Sequence, residues 1–295
     1  MEIKQLLYFI EVAKQHSFTK ASQNLHVSQP NISRMIRNLE EEVGFALLDR
    51  TSNHIQLTAA GSIVFEEATQ ALQILNHIAD KLNDLNHVPK GIIRMGLPPT
   101  IGSKFFPKVL ADFYKLYPGI KFDFVENGSK TVAKEVGEGY LDVGVVVPPV
   151  NEELFHIVPI IHEEVQLLVH EDHRLARQSS VQLQELKGEA FMLYREDFTL
   201  HGRIIEACKN VGFEPNIIYE SSQWDLIRGM VANNLGVSLL PNSICREAAS
   251  SQIKIIQVTP LIPWEVSIIW RKNRYLSSAT REWVQFVCSQ FSGFD

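Results

Sequence analysis

The chain has 295 residues, 45% of them hydrophobic and 21% charged, with a formal net charge of −6. That length allows about two domains with cores of ordinary size, and the acid excess means that any nucleic-acid surface has to be local. The N-terminus MEIKQLLYFIEVAKQ has no cleavage-site pattern and no later apolar run approaches about 18 residues, so a cytoplasmic protein with no membrane partner is expected.

Leu6, Leu7, Phe9, Ile10 and Ala13 recur at helical spacing and predict a first helix over residues 3–15 with one buried face. In HSFTKASQNLHVS the pattern restarts: Ser17 is placed as an N-cap, and Ala21 and Leu25 supply the small and large apolar positions of a second helix. Ser28 is placed to cap a third helix, with Pro30 in its first turn, where the missing N–H breaks no intrahelical bond. Ile32, Ile36, Leu39 and Val43 make an inward stripe on that helix and leave Gln29, Asn31, Ser33, Arg34, Arg37 and Asn38 on the opposite face.

This is a helix-turn-helix with the third helix as reader, and the charges agree. Between Glu11 and Glu40 there is no acid at all, while Lys14, Lys20, Arg34 and Arg37 lie inside that window. The N-terminal part of such a helix enters the major groove of double-stranded DNA. Candidate contacts are therefore Lys20, Ser28, Gln29, Pro30, Asn31, Ser33, Arg34 and Arg37, joined by Arg50 and His54 beyond the helix. Glu40 to Glu42 fall at the far end and are expected to point away from DNA.

FTKASQNLHVSQPNISRMIRNLEEEVG followed by LLDRTSNHIQLTAAG resembles the winged helix-turn-helix of LysR-type transcriptional regulators. The Ser-Gln-Pro turn, the Leu-Glu-Glu run, the Arg-Thr pair and the Leu-Thr-x-Ala-Gly close carry the resemblance. One departure is the wing tip TSNHIQ, which has no Arg or Lys where family members often have basic residues. Asn53 and His54 remain as hydrogen-bonding groups there.

From Ala59 to Val88 the spacing changes to that of a coiled-coil seam: Val64, Ala68, Ala71, Leu75, Ile78, Leu82 and Leu85, with no glycine or proline between Gly61 and Pro89. Such a helix is expected to hold two reading heads apart, and the resemblance implies a dimer through it; the expected assembly is a dimer or a homotetramer.

Beyond HVPKG, short apolar runs alternate with helical patterns. IIRMGL, IKFDFVE and LDVGVVV read as strands separated by two helices, which is βαβ grammar and predicts a mostly parallel sheet. EEVQLLVH, EAFMLY, NIIYE, GVSLLP and IKIIQV continue as a second unit, and EVSIIW with SATREWVQFVCSQF returns the chain to the first. The segments GYLDVGVV, EDHRLA and GVSLLP extend the resemblance to the family's effector domain, itself similar to periplasmic solute-binding proteins. The expected fold is thus α/β: an all-α winged helix-turn-helix over 1–58, a linker helix over 59–89 and a two-lobed effector domain over 90–295. Lobe I is expected at about 90–161 and 266–295, lobe II at about 162–265.

Ligands of open α/β folds sit beyond the carboxyl ends of strands, where helix N-termini offer free N–H groups. PPTIGS, NGSKT, DFTLHG and SSQWD have that position, the last with Ser222 and Asp225 at capping-box spacing. Thr100, Ser103, Ser129, Thr199 and Ser222 are candidate polar contacts for a small anionic effector such as an organic acid, with Ile101, Val147 and Trp224 as apolar wall. RNA polymerase is a candidate further partner.

No cofactor, metal or enzymatic activity is expected. The chain has no Gly-rich phosphate loop, no GxSxG and no HExxH, and His170 and His173 of HEDH read as a turn. Cys208, Cys245 and Cys288 lack CxxC spacing and read as free thiols. A transporter's solute-binding protein would need a secretion signal where this chain places a helix-turn-helix.

Overall fold

The computed structural model describes residues 1–50, 55–84 and 90–291, and divides the chain into two units, Met1–Asn86 and His87–Asp295. In the first unit, α1 (Ile3–Gln15) buries Leu6, Phe9, Ile10, Val12 and Ala13. Leu7, expected inside, is exposed: the inward stripe runs 6, 9, 10, 13, and position 7 is turned away from it. Helix α2 (Phe18–Asn24) begins at Ser17, whose hydroxyl accepts from the Lys20 amide at 3.3 Å, and buries Ala21 against its neighbours. Helix α3 (Gln29–Val43) buries Ile32, Ile36 and Leu39 and has Pro30 in its first turn. Ser28 stands at its N-cap, but its side chain makes no capping bond.

The wing is a minimal antiparallel hairpin of β1 (Leu48–Asp49) and β2 (Gln56–Leu57). The tip lies outside the described residues, so the expectations for Asn53 and His54 do too. The Leu-Thr-x-x-Gly close has a physical reason. Thr58 Oγ1 accepts from the Gly61 amide at 2.9 Å and donates to the Ala46 carbonyl at 2.7 Å, which starts the next helix and ties it to the loop before the wing. A Cβ on Gly61 would fall 2.0 Å from the Leu47 carbonyl oxygen, so only glycine allows this approach.

Helix α4 (Ala59–Asp84) has 26 residues and is therefore about 39 Å long. Its first turns pack on the head: Ala68 is buried there, with Val64, Phe65 and Leu72 against the same core.

The second unit runs β3 (Gly91–Leu97), α5 (Pro99–Leu116), β4 (Ile120–Glu126), α6 (Ser129–Glu138), β5 (Val143–Val146) and the 16-residue β6 (Phe155–His170). It continues with β7 (Ser180–Gln182), a short 3-10 turn, β8 (Ala190–Tyr194), α7 (Thr199–Asn210), β9 (Asn216–Ser221) and α8 (Trp224–Ala232). The remainder is β10 (Ser238–Pro241), α9 (Asn242–Ala248), β11 (Ile253–Thr259), β12 (Pro263–Arg271) and α10 (Ser278–Phe291).

Strand β3 is parallel to β4 and β5, and β8 is parallel to β9, as βαβ units require. The sheet as a whole is mixed rather than mostly parallel, because the strands that join the lobes run antiparallel. Strand β6 pairs with β12 from Phe155 to Glu164, then with β10 and β11 from Val165 to His170, so one continuous strand serves both lobes. Helix α10 closes lobe I by burying Trp283 among Phe106, Phe113 and Phe122.

Candidate nucleic-acid interface and inter-lobe cavity

On the head, Ser28, Gln29, Pro30, Arg34 and Arg37 are exposed along the start and outer face of α3, with Asn31 and Ser33 half-buried between them and Lys20 exposed on α2. Arg34 Nη2 donates to Asn31 Oδ1 at 3.3 Å, one turn back, so the two present a guanidinium and an amide side by side. Neither Arg34 nor Arg37 meets an acid among the described residues.

The acids that border this window are occupied within the head. Glu11 accepts from Gln15 and Asn24 at 3.1 and 2.8 Å. Glu40 does more than point away. Its carboxylate accepts from the amides of Leu47 and Leu48 at 2.9 and 3.2 Å and from Arg50 Nη2 at 2.8 Å, anchoring the first wing strand to the end of α3. Glu42 receives the N-terminal ammonium. Arg50 is thereby held by Glu40 and lies 5.4 Å from the centre of the Phe18 ring, a built-in brace that leaves its guanidinium only partly open to solvent.

Along α4 the apolar spacing splits into two destinations. Val64 and Ala68 face their own head and are not open to a second chain. Ala71 and Leu75 are exposed, as are Ile78 at 52% and Leu82 at 58%. Ile63 and Ile74, absent from the heptad reading, are exposed as well. Leu85 lies outside the described residues.

In the second unit three helix N-termini meet at one cavity. Thr100 and Ile101 come from the first turn of α5, which starts four residues earlier than SKFFPKVLADFYKLYP indicates because Pro98 and Pro99 already set its opening φ. Ser129 opens α6 and Thr199 opens α7. The N–H groups of such first turns have no intrahelical partner. The cavity is lined by these four residues with Val147, and by Pro98, Tyr194, Phe198, Leu200, Pro241 and Trp264, which sequence reading did not single out. It measures about 30 Å³, roughly the space of one water in the liquid.

Across it, Thr100 Oγ1 of lobe I and the Tyr194 hydroxyl of lobe II share a hydrogen bond of 3.2 Å, both residues buried at 8% and 4% exposure. Burial holds the Tyr194 phenol protonated far above its ordinary range, against a smaller opposing effect of the Thr100 hydrogen bond. Ser129 Oγ accepts from the Val147 amide at 2.9 Å, pinning the start of α6 to the end of the β5 segment. Lys104 of α5 pairs with Glu247 of α9, and Lys130 Nζ donates to the Glu196 carbonyl at 2.9 Å, so polar contacts bridge the lobes around the cavity.

Three candidates lie elsewhere. Ser103 is exposed and donates back to the Thr100 carbonyl at 3.2 Å. Ser222 precedes α8 without capping it: the N-cap is Gln223, its side chain makes no cap bond, and the hydroxyl in use is Ser221 Oγ, which accepts from the Gln223 amide at 3.0 Å. The expected capping box with Asp225 therefore does not form. Trp224, at the start of α8, packs on the core rather than on the cavity.

The described residues contain no group of three or more metal-ligating side chains, and no helix among them is long and apolar enough to cross a membrane. His170 Nδ1 accepts from the Asp172 amide at 3.2 Å within its turn, while His173 Nε2 lies 3.3 Å from Glu189. Cys208 and Cys245 are buried; burial pushes the Cys208 thiol up to about 11 and Cys245 higher still.

Residues 3–62 match the family profile described as bacterial regulatory helix-turn-helix protein, lysR family, and residues 86–292 match the LysR substrate binding domain. The chain is 51% identical over 290 residues to the uncharacterized HTH-type transcriptional regulator YwbI of Bacillus subtilis, covering 98% of this chain and 96% of that one. It is 32% identical to the transcriptional dual regulator GltC of the same species, covering 99% and 98%. The crystal structure of full-length CbnR complexed with its target DNA has a similar fold, with a TM-score of 0.71 at 24% identity, covering 98% of this chain and 99% of that one.

Proposed function

The chain belongs to the LysR family of DNA-binding transcriptional regulators and is not an enzyme, and from that premise we propose that its transcriptional output is set by a small organic anion bound between the lobes of the second unit. The observation that carries the reading is the convergence of the α5, α6 and α7 N-termini on one cavity, with the hydroxyls of Thr100, Ser129, Thr199 and Tyr194 around it. Helix N-termini favour anions through unbonded N–H groups and the positive end of the helix dipole. Thr100, Ser129 and Thr199 would hold the anionic group, while Ile101, Val147, Phe198 and Trp264 would surround the apolar part.

A cavity near the size of one water does not hold an organic acid in this closed arrangement. Effector binding therefore requires the lobes to part at the Thr100–Tyr194 contact, and ligand shifts the equilibrium by its different affinity for the two arrangements. At the other unit, Gln29, Asn31, Ser33, Arg34 and Arg37 would read base edges and phosphates of the operator, with Lys20, Ser28 and Pro30 at its rim. The exposed stripe Ile74, Leu75, Ile78 and Leu82 would pair two copies, and a homotetramer in the cytoplasm, in contact with RNA polymerase at regulated promoters, completes the proposal.

The deciding experiment is a calorimetric screen of small mono- and dicarboxylates against the full chain, repeated with Thr199→Val, which leaves the Thr100–Tyr194 contact intact. A carboxylate that binds the wild type and binds Thr199→Val more weakly supports the reading. A panel in which only uncharged compounds bind, or in which the substitution changes nothing, refutes it.

A further inference from the structure

Beside the cavity, and sharing Ser129, Val147 and Thr199 with it, lies a much larger groove of about 560 Å³. That volume is in the range of small-molecule sites. One wall is α6, through Lys130, Ala133 and Lys134; the floor is Leu154 and Phe155, where the chain enters β6. Glycine at 137 lets α6 pack closely on these two side chains: a Cβ there would stand 3.1 Å from Leu154 Cδ2 and 3.3 Å from Phe155 Cζ.

Charge at the groove runs against that of the chain. The whole protein carries −6, but the groove is lined by Lys130, Lys134 and Arg271 against Glu138 alone. Lys134 sits 3.7 Å from Glu138, and Lys130 is bonded to a carbonyl rather than an acid. Arg271 is the informative group. It ends β12 directly opposite Phe155, is half-buried, and its side chain makes no hydrogen bond or ion pair among the described residues. Its near neighbour Arg274 is cationic too, and of the two it is Arg274 that senses the nearby Asp142 carboxylate. A half-buried guanidinium beside apolar side chains, with no carboxylate bonded to it, is a site for an anion attached to an apolar body.

We propose that this groove is a second ligand site, for an amphipathic organic anion whose carboxylate or sulfonate meets Arg271 and whose aromatic or branched body lies on Ala133, Leu154 and Phe155. Because α6 belongs to lobe I and Thr199 to α7 of lobe II, an occupant touches both lobes. The assignment holds whatever occupies the smaller cavity, since the anion is met by different residues.

The test uses the full chain and 1-anilinonaphthalene-8-sulfonate, an aromatic body with a single sulfonate that fluoresces when shielded from water. Saturable binding is expected for the wild type, weaker by roughly tenfold or more in Arg271→Gln, since a charge-assisted contact is lost. Ala133→Leu, which fills the groove from the α6 side, is expected to weaken binding with unchanged circular dichroism, and Lys187→Gln, a surface cation outside the groove, to leave it as it is. Should Ala133→Leu fail to fold, Arg271→Gln alone decides. Dye binding that never saturates, or that is the same in Arg271→Gln as in the wild type, would place the dye on other apolar surface such as the α4 stripe and overturn the assignment.

Discussion

Replacing Thr100 by valine keeps the β-branched shape and removes one hydroxyl. From sequence alone this looks silent for stability, since Thr100 reads as a loop residue waiting for ligand. The structure says otherwise. The hydroxyl is spent on Tyr194, and the phenol it serves is buried in the opposite lobe at 3.2 Å. Thr100→Val therefore strands a desolvated phenol, which costs about 1–3 kcal/mol. Tyr194→Phe makes the complementary orphan on Thr100 and is expected to cost a comparable amount. Removing both groups together leaves two apolar surfaces in contact, so Thr100→Val/Tyr194→Phe is expected to be close to wild type, with a coupling energy of about 1 kcal/mol or more. The assay is convenient because Trp224, Trp264, Trp270 and Trp283 all belong to the second unit, so tryptophan fluorescence of the full chain follows that unit alone. In a unit of this size each kcal/mol moves the midpoint by roughly 2–4 °C. A Thr100→Val melt that overlays the wild type, or single effects that simply add in the double variant, would refute the account of the cavity as a closed polar contact between lobes.

Arg34→Ala is expected to weaken operator binding by about 1–3 kcal/mol if a base contact is lost, or to lower the salt slope by about 1 if a phosphate contact is lost; titration at several salt concentrations checks both, and unchanged affinity and slope reject the role. Ile78→Glu places a carboxylate in the exposed α4 stripe of each copy and is expected to shift the full chain toward monomer in sedimentation, whereas Ala68→Ser, facing its own head, is expected to leave assembly intact. Glu40→Ala removes the acceptor of the Leu47 and Leu48 amides, so hydrogen exchange at those two amides is expected to speed up while α1 stays protected. Cys208 and Cys245 are expected to resist iodoacetamide at pH 7.5 in the native protein and to react in denaturant, because burial keeps both as thiols; rapid native labelling of Cys245 would contradict the burial described.

The elements whose signal is local are legible in the sequence. Ile32, Ile36 and Leu39 announce α3 by their spacing, Ser17 its neighbour's start, and IKFDFVE matches β4 residue for residue. What could not be read is what a residue faces across the chain. Tyr194 ends a strand like any other; nothing near it says that a threonine 94 residues earlier will meet its hydroxyl. Pro241 and Trp264 reach the cavity only because β10 and β12 flank the shared strand β6, a topology that the strand sequences do not specify. The heptad spacing of α4 likewise marks a buried stripe without saying by what. Its first two positions turn out to pack on the chain's own head. Glu40 had a local signal that went unused: a wing strand starting only a few residues after α3 ends, with unpaired amides to satisfy, calls for an acceptor in the last turn.

Net charge is a poor guide to this protein's partners because its acids are not distributed as its partners would see them. On the head, Glu11, Glu40 and Glu42 are each taken by an intradomain donor, so the face of α3 presents Arg34 and Arg37 without a competing carboxylate. Around the groove of the second unit the same thing happens by a different route: Glu138 is drawn to Lys134, and Asp142 serves the backbone and side chain of Arg94 and is felt by Arg274, while no carboxylate is bonded to the Arg271 side chain. An anion approaching either surface at physiological salt senses charges within about 8 Å, and beyond that distance the excess acids elsewhere are screened. The chain can therefore be acidic as a whole, which disfavours indiscriminate association with polyanions, and cationic locally, on the face of α3 and around Arg271. Neutralising Arg34 should consequently affect DNA alone and neutralising Arg271 the amphipathic anion alone, since each acts within its own screened neighbourhood.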